Sequence, residues 1–139
     1  MKLEIAPGLT DISLVVFIQD ITSVEGAGLT GLLFNSAGLA CYYIRPGAAA
    51  VQLALANVAV AGAHADGGFI EIDATDMPGW YRLDLSDAII AAGVTSAGIH
   101  LGGAANMASV LSEIQLLSEI AAARIPRYGF TNFQIPGIV

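Results

Sequence analysis

FIEIDATDMPGWYRLDLSDAIIAAG, residues 69–93, carries the pattern that decides the fold. Its first residues alternate in character. Ile70 and Ile72 share one face, and Glu71 and Asp73 share the other. Residues 80–85 repeat the habit, with Tyr81, Leu83 and Leu85 set against Trp80, Arg82 and Asp84. A change of character at every second residue marks antiparallel strands with one dry face and one wetter face. Between the two runs, DATDMPG has turn chemistry: Asp73 caps its own backbone, and Pro78-Gly79 suits a tight turn. After the second run Ser86 reads as a helix N-cap, Asp87 favours the positive end, AIIAA is short and apolar, and Gly93 ends it. The expected helix is about two turns long.

The same period extends outward in both directions. Candidate strands are 12–19, 39–45, 50–56, 69–73, 79–85, 96–102 and 109–117, with Gly102-Gly103 and Asn106 marking a loop before the last. Short strands at a spacing of roughly 8–12 residues, with one connector helix, predict an all-β antiparallel β-sandwich, immunoglobulin-like or related. The 139 residues suit one domain with one core. The expected division is a sandwich over 1–123, with residues 1–11 as an N-terminal lead, and an extended docking arm over 124–139. In the arm Pro126, Gly129, Pro136 and Gly137 oppose a long helix. Tyr128, Phe130, Phe133 and Ile135 are too apolar to float in water, and with Arg124 and Arg127 they form the expected interface of the arm.

Composition points to an assembly. The chain is 55% hydrophobic and only 12% charged, against an average near a quarter charged, and its mean hydropathy is +0.71. The uncharged stretch over residues 46–65 is rich in alanine, opens on Pro-Gly, contains Gln52, Asn57 and His64, and lacks a flanking basic cluster. It is therefore not expected to span a membrane. MKLEIAPGLTD has no apolar h-region, so no signal peptide is expected. Surfaces low in charge and rich in small residues suit burial against copies or partners. The net charge of −7 opposes binding to a nucleic-acid backbone. The charge is also uneven: −9 over residues 1–123 and +2 over the last 16. That contrast helps orient the arm against a neighbouring body.

Several motifs bear on chemistry. GAGLTG, residues 26–31, matches the glycine spacing of a dinucleotide-binding turn, and ISLVVFIQ before it is a plausible strand. The helix that should open after Gly31 is missing: LLFNSAGLACYYI is broken by Asn35, Ser36 and Gly38. The acidic residue expected about 20 positions on is also missing. The stretch reads as a glycine-rich loop between strands. Cys41, the single cysteine, sits in an apolar strand and reads as a buried thiol. His64, near Asp66, and His100 have no second ligand at useful spacing, so no metal site is expected. Asp73 and Asp76, with Glu71, Asp84 and Asp87 nearby, supply oxygens for calcium only without the spacing of a calcium loop, and turn and helix capping explain them. No nucleophile elbow is present. No catalytic residue and no cofactor are expected, and the chain reads as non-enzymatic. Trp80 and Tyr81, with Tyr42 and Tyr43, are the candidate ligand or interface aromatics, and alternation puts one of each pair in the core.

Three stretches together resemble a known family: GLTGLLFNSAGLACYYIRPGAAAVQLAL (28–55), GGFIEIDATDMPGWYRLDLSDAIIAAG (67–93) and IHLGGAANMASVLSEIQL (99–116). They are similar to a small β domain of predicted structural proteins of tailed bacteriophages, found in tail-fibre, baseplate and other virion-associated proteins. The resemblance covers about residues 30–116 and consists of whole strands and turns, so it carries over no active site. It implies an all-β sandwich and a building block of the virion, made in the host cytoplasm, with other virion proteins as partners. Relatives often continue into long fibrous segments. This chain stops after a 16-residue arm, which favours a small component present in many copies. The expectation is a tail, baseplate or fibre-attachment component, homo-oligomeric, without nucleic acid or membrane as partner. A capsid decoration or cement protein is the first alternative, and a carbohydrate-binding module using Trp80 and Tyr81 the second.

Overall fold

The computed structural model describes residues 1–117. They form β1 (Lys2–Ile5), β2 (Ser13–Phe17), β3 (Ala40–Ile44), β4 (Val51–Leu53), β5 (Ala56–Asn57), β6 (Gly68–Asp73), β7 (Met77–Asp84), α1 (Asp87–Ile90), β8 (Ser96–Gly102) and β9 (Val110–Leu116). The first sheet has the order β1-β9-β8-β3-β4, the second β2-β7-β6-β5. The chain is an all-β sandwich, as its periodicity predicts.

The core lies between the sheets. Cys41, Leu53, Ile99, Leu101 and Ile114 come from the first, and Leu14, Val16, Phe69, Tyr81 and Leu83 from the second. Phe69 and Tyr81 stack at 4.9 Å, nearly parallel, an arrangement that adds about 0.5–1.5 kcal/mol beyond burial. The central pairings are antiparallel. So are the outer pairings β3 on β4 and β2 on β7, whereas the other two outer pairings are parallel: β1 on β9, with Lys2 opposite Glu113, and β5 on β6. Both sheets are therefore mixed. β1 lies within the stretch expected as a lead.

Three local expectations are corrected. The strand expected over 50–56 splits: β4 stays beside β3, and Ala56–Asn57 crosses to the second sheet. The turn after β6 sits at residues 74–76, one step before Pro78-Gly79. Asp73 holds it, accepting from the N–H groups of Thr75 and Asp76 at 2.8 and 2.9 Å. Pro78 and Gly79 lie inside β7. The helix is about one turn. Ser86 caps it as expected, accepting from Ala88 N–H at 3.2 Å, but it ends at Ile90, before Gly93. Arg45 explains the early stop. Its guanidinium donates to the carbonyls of Ala88, Ala91 and Ala92 at 2.6, 2.7 and 3.1 Å. These carbonyls are satisfied by a side chain rather than by further helical turns.

In β6 the partner strand decides which face is inside. Phe69 stands opposite Leu83 and Glu71 opposite Tyr81. Both therefore turn towards the side that Leu83 and Tyr81 bury. Ile70, opposite Arg82, turns outward; Ile70 and Ile72 are both half-buried, and the register shifts between Glu71 and Asp73.

Candidate interaction surfaces

The outer face of the second sheet has a covered half. Asp84 belongs to the wetter face of β7, yet its side chain is 0% exposed. The chain at 58–66 passes over it. Arg82 donates to Asp84 from Nε and an Nη at 2.7 and 2.8 Å. Ser13 Oγ donates at 2.6 Å and Ala65 N–H at 3.0 Å. The rest of the Arg82 guanidinium donates to the carbonyls of Ala59, Val60, Gly62 and Ala63 at 2.9–3.3 Å. Burial pushes the Asp84 carboxyl up, but the hydrogen bonds from Arg82, Ser13 and Ala65, with the Arg82 charge, outweigh it and hold it below its usual range. This ion pair is a clamp that fastens a loop to the sheet.

The other half of that face is bare. Phe17 is paired with Trp80 across β2 and β7, with ring centroids 5.5 Å apart at 51°. They are 38% and 36% exposed, and Val15 beside them is 48% exposed. Trp80 thus keeps its place as a candidate interface aromatic. Tyr81 does not: it is fully buried. Its hydroxyl donates to Leu29 O at 2.7 Å and accepts from Leu32 N–H at 3.2 Å. Burial pushes that hydroxyl up to about 12. The period of β7 puts neighbours on opposite faces, so Trp80 and Tyr81 cannot form one platform.

The outer face of the first sheet holds a groove of about 500 Å³. Tyr42 stands opposite His100, and His100 opposite Leu111. Ile44 and Glu113 both stand opposite Gly98, which has no side chain to fill the row between them. Tyr42, Ile44 and Leu111 are exposed, and Tyr43 is half-buried. Alternation in ACYYI predicted one tyrosine outside. The groove itself had no sequence signal, because it depends on the register of β3, β8 and β9.

The glycines of GAGLTG serve the backbone. Gly26 and Gly31 have φ of +75° and +82°, a region that favours glycine. A Cβ on Gly28 would lie 2.1 Å from the Pro78 carbonyl oxygen. The segment is laid against the second sheet: Leu29 N–H donates to Ile18 O at 2.8 Å, and Gly31 N–H to Glu71 Oε2 at 2.8 Å. Turns follow Gly31, where a nucleotide site would need a helix.

The remaining candidates are dispersed. Cys41 is buried, which pushes its thiol up to about 11. His64 Nδ1 lies 3.3 Å from Asp11 and 4.0 Å from Asp66, whereas His100 is on the groove. Asp73 spends its carboxylate on its own turn, and the N–H groups of Asp76 and Thr75 lower its pKa. Asp87 accepts from Asp11 N–H at 3.1 Å. Among the described residues no group of three or more His, Cys, Asp or Glu is placed to hold a metal ion. No helix among them is long and apolar enough to cross a membrane, and residues 46–65 fold as short strands and turns. Arg124, Arg127, Tyr128, Phe130, Phe133 and Ile135 lie outside the described residues, as does the boundary expected at 123.

Comparison with protein-family models, with curated proteins and with solved structures found no match for this chain.

Proposed function

We propose that this chain is a non-enzymatic structural component of a tailed-bacteriophage virion, at the tail, baseplate or fibre attachment. It assembles with copies of itself and with other virion proteins through the outer faces of the sandwich and the arm at 124–139. The observation that carries this reading is the pair of sparsely charged apolar outer surfaces. One is built on Val15, Phe17 and Trp80, the other on Tyr42, Ile44 and Leu111. Exposed apolar area grouped in this way suits burial by another protein. The resemblance of residues 30–116 to virion β domains supports the setting.

Cryo-electron microscopy of the intact particle tests the proposal. Density for the sandwich at the neck, baseplate or fibre root supports it. Density on the capsid lattice makes the chain a decoration protein that uses the same surfaces. Absence from the particle overturns both. Carbohydrate binding then comes first, with Trp80 and Phe17 as the aromatic platform, and selective glycan-array signal lost in Trp80→Ala would establish it.

A further inference from the structure

Asp66–Gly67 is the one Asp–Gly step in the chain, and the chain has no Asn–Gly step. This dipeptide is chemically labile. Glycine has no Cβ to hinder its amide nitrogen, and its backbone turns freely. The nitrogen can therefore reach the preceding side-chain carboxyl and close a five-membered ring.

The fold holds this step still. Gly67 is buried and lies just before β6. Its N–H donates to the main-chain oxygen of Asp84 at 3.0 Å, and its carbonyl accepts from Ala56 N–H at 2.9 Å. The residue before Asp66 is tied as well. Ala65 N–H donates to Asp84 Oδ2 at 3.0 Å, and Ala65 O accepts from Gly68 N–H at 2.7 Å. The Asp66 side chain, in contrast, is 62% exposed. The electrophile is free, and the nucleophile is engaged. A nitrogen held against Asp84 cannot swing towards the Asp66 carboxyl while the loop at 58–66 stays fastened.

The same place has no room for a longer backbone. Gly67 has a φ of +77°, and a Cβ on it would overlap the carbonyl oxygen of Ala54. A Cβ on Gly68 would lie 2.6 Å from Asp84 Oδ2 and 2.7 Å from Val58 Cγ1. At such density one extra carbon in the chain forces the neighbours apart.

We propose that Asp66–Gly67 is a site of spontaneous aspartyl isomerisation, that the Asp84 clamp gates it, and that the reaction releases the loop for good. When the loop lifts, Gly67 N attacks Cγ of Asp66. The new C–N bond forms as the carboxyl hydroxyl and the amide proton leave together as water. Water then adds to the main-chain carbonyl carbon of Asp66 and breaks its bond to Gly67 N. The chain now runs through the side chain of residue 66, with one more carbon in the backbone and a free carboxylate on Cα. Water is the only co-reactant, and mass and charge are unchanged. The lengthened link does not fit back between Ala54 and β7, so the loop stays lifted and the covered half of the sheet face is bared.

The test follows the linkage at residue 66 in the full chain at neutral pH. Electron-transfer fragmentation separates the two linkages although their masses are equal. The native chain should accumulate the isomer at least ~10-fold more slowly than the same chain unfolded in urea, because the reaction must wait for local opening. Equal rates overturn the gate. Under folding conditions Asp84→Ala should isomerise faster than the native chain. Ser13→Ala, which removes a single donor to Asp84, should fall between the two. If Asp84→Ala fails to fold, Ser13→Ala decides: a rate above the native one supports the gate, and a rate equal to it overturns it. The release has its own readout. Chains isomerised in urea and returned to native buffer should be cut by protease within 58–66 sooner than the native chain treated in the same way for too short a time to isomerise. Equal resistance overturns the one-way release.

Discussion

The two halves of one sheet face differ in what covers them. Around Asp84 a loop is fastened over the second sheet by an ion pair and a set of carbonyls. Around Trp80, further back along the same strand and on the same face, the aromatic pair lies open. A sandwich needs only its inner faces to close a core. Where an outer face is covered by its own chain, the cover is held by polar contacts satisfied within the chain. Where it is left apolar and bare, no such polar fastening is present among the described residues.

The sharpest way to break that contrast is Asp84→Ala. It leaves Arg82 without its carboxylate and strips Ser13 Oγ and Ala65 N–H of their acceptor. Removing one partner of a buried pair costs about 3–5 kcal/mol. Urea unfolding should show a loss of that size, and protease should cut first within 58–66. A loss below about 1 kcal/mol, the level of an exposed pair, would mean that the clamp does not hold the cover.

Acid probes the same clamp without a mutation. The Asp84 carboxyl is held below its ordinary value near 3.9. Its contribution is therefore fully present above about pH 4 and is lost as pH falls through the lowered folded-state value. Unfolding midpoints followed between pH 5 and 2 should fall more steeply in the native chain than in Asp84→Asn. Parallel curves would remove Asp84 as the source of the acid slope.

Tyr81→Phe tests the neighbouring inner face. It deletes the hydroxyl that joins Leu29 O and Leu32 N–H and leaves both unpartnered. A loss of about 1–3 kcal/mol is expected, with faster amide exchange confined to 28–32. An unchanged midpoint would show that the loop reaches water when the hydroxyl is gone.

These positions also show what the amino-acid order makes legible. β2, β3 and β6–β9 announce themselves by alternation, and Ser86 and Asp73 cap as their chemistry requires. β1 does not announce itself: KLEI gains strand character only by lying parallel to a segment more than a hundred residues away. β5 is two residues, too short for any period. In β6 alternation separates Ile70 and Ile72 from Glu71, but the inner face is chosen by the register against Leu83 and Tyr81. The length of α1 depends on Arg45, a side chain from β3's far end. The separate surfaces follow the same rule. Trp80 could be named in advance as an outward aromatic. The groove beside Gly98 and the burial of Asp84 could not, because each needs three strands or a strand and a loop brought together by the fold.

Trp80→Ala has the smallest expected effect on the isolated chain and therefore bears most directly on the bare half. Trp80 is about a third exposed, and its ring pairs with that of Phe17. Stability should fall by about 1 kcal/mol, the worth of a tilted aromatic pair and some apolar area. A ring that covers only its own sheet would have no further consequence. A ring that meets another subunit is different, because buried aromatic anchors carry most of an interface's energy, often about 2 kcal/mol or more each. Solution mass as a function of concentration, in the native chain and in Trp80→Ala, measures that second part. A variant that folds nearly as well but dissociates at about thirtyfold higher concentration, the equivalent of 2 kcal/mol, places the bare half at a subunit contact. Equal dissociation would remove the bare half from the subunit contacts and leave the groove of the first sheet as the surface to test.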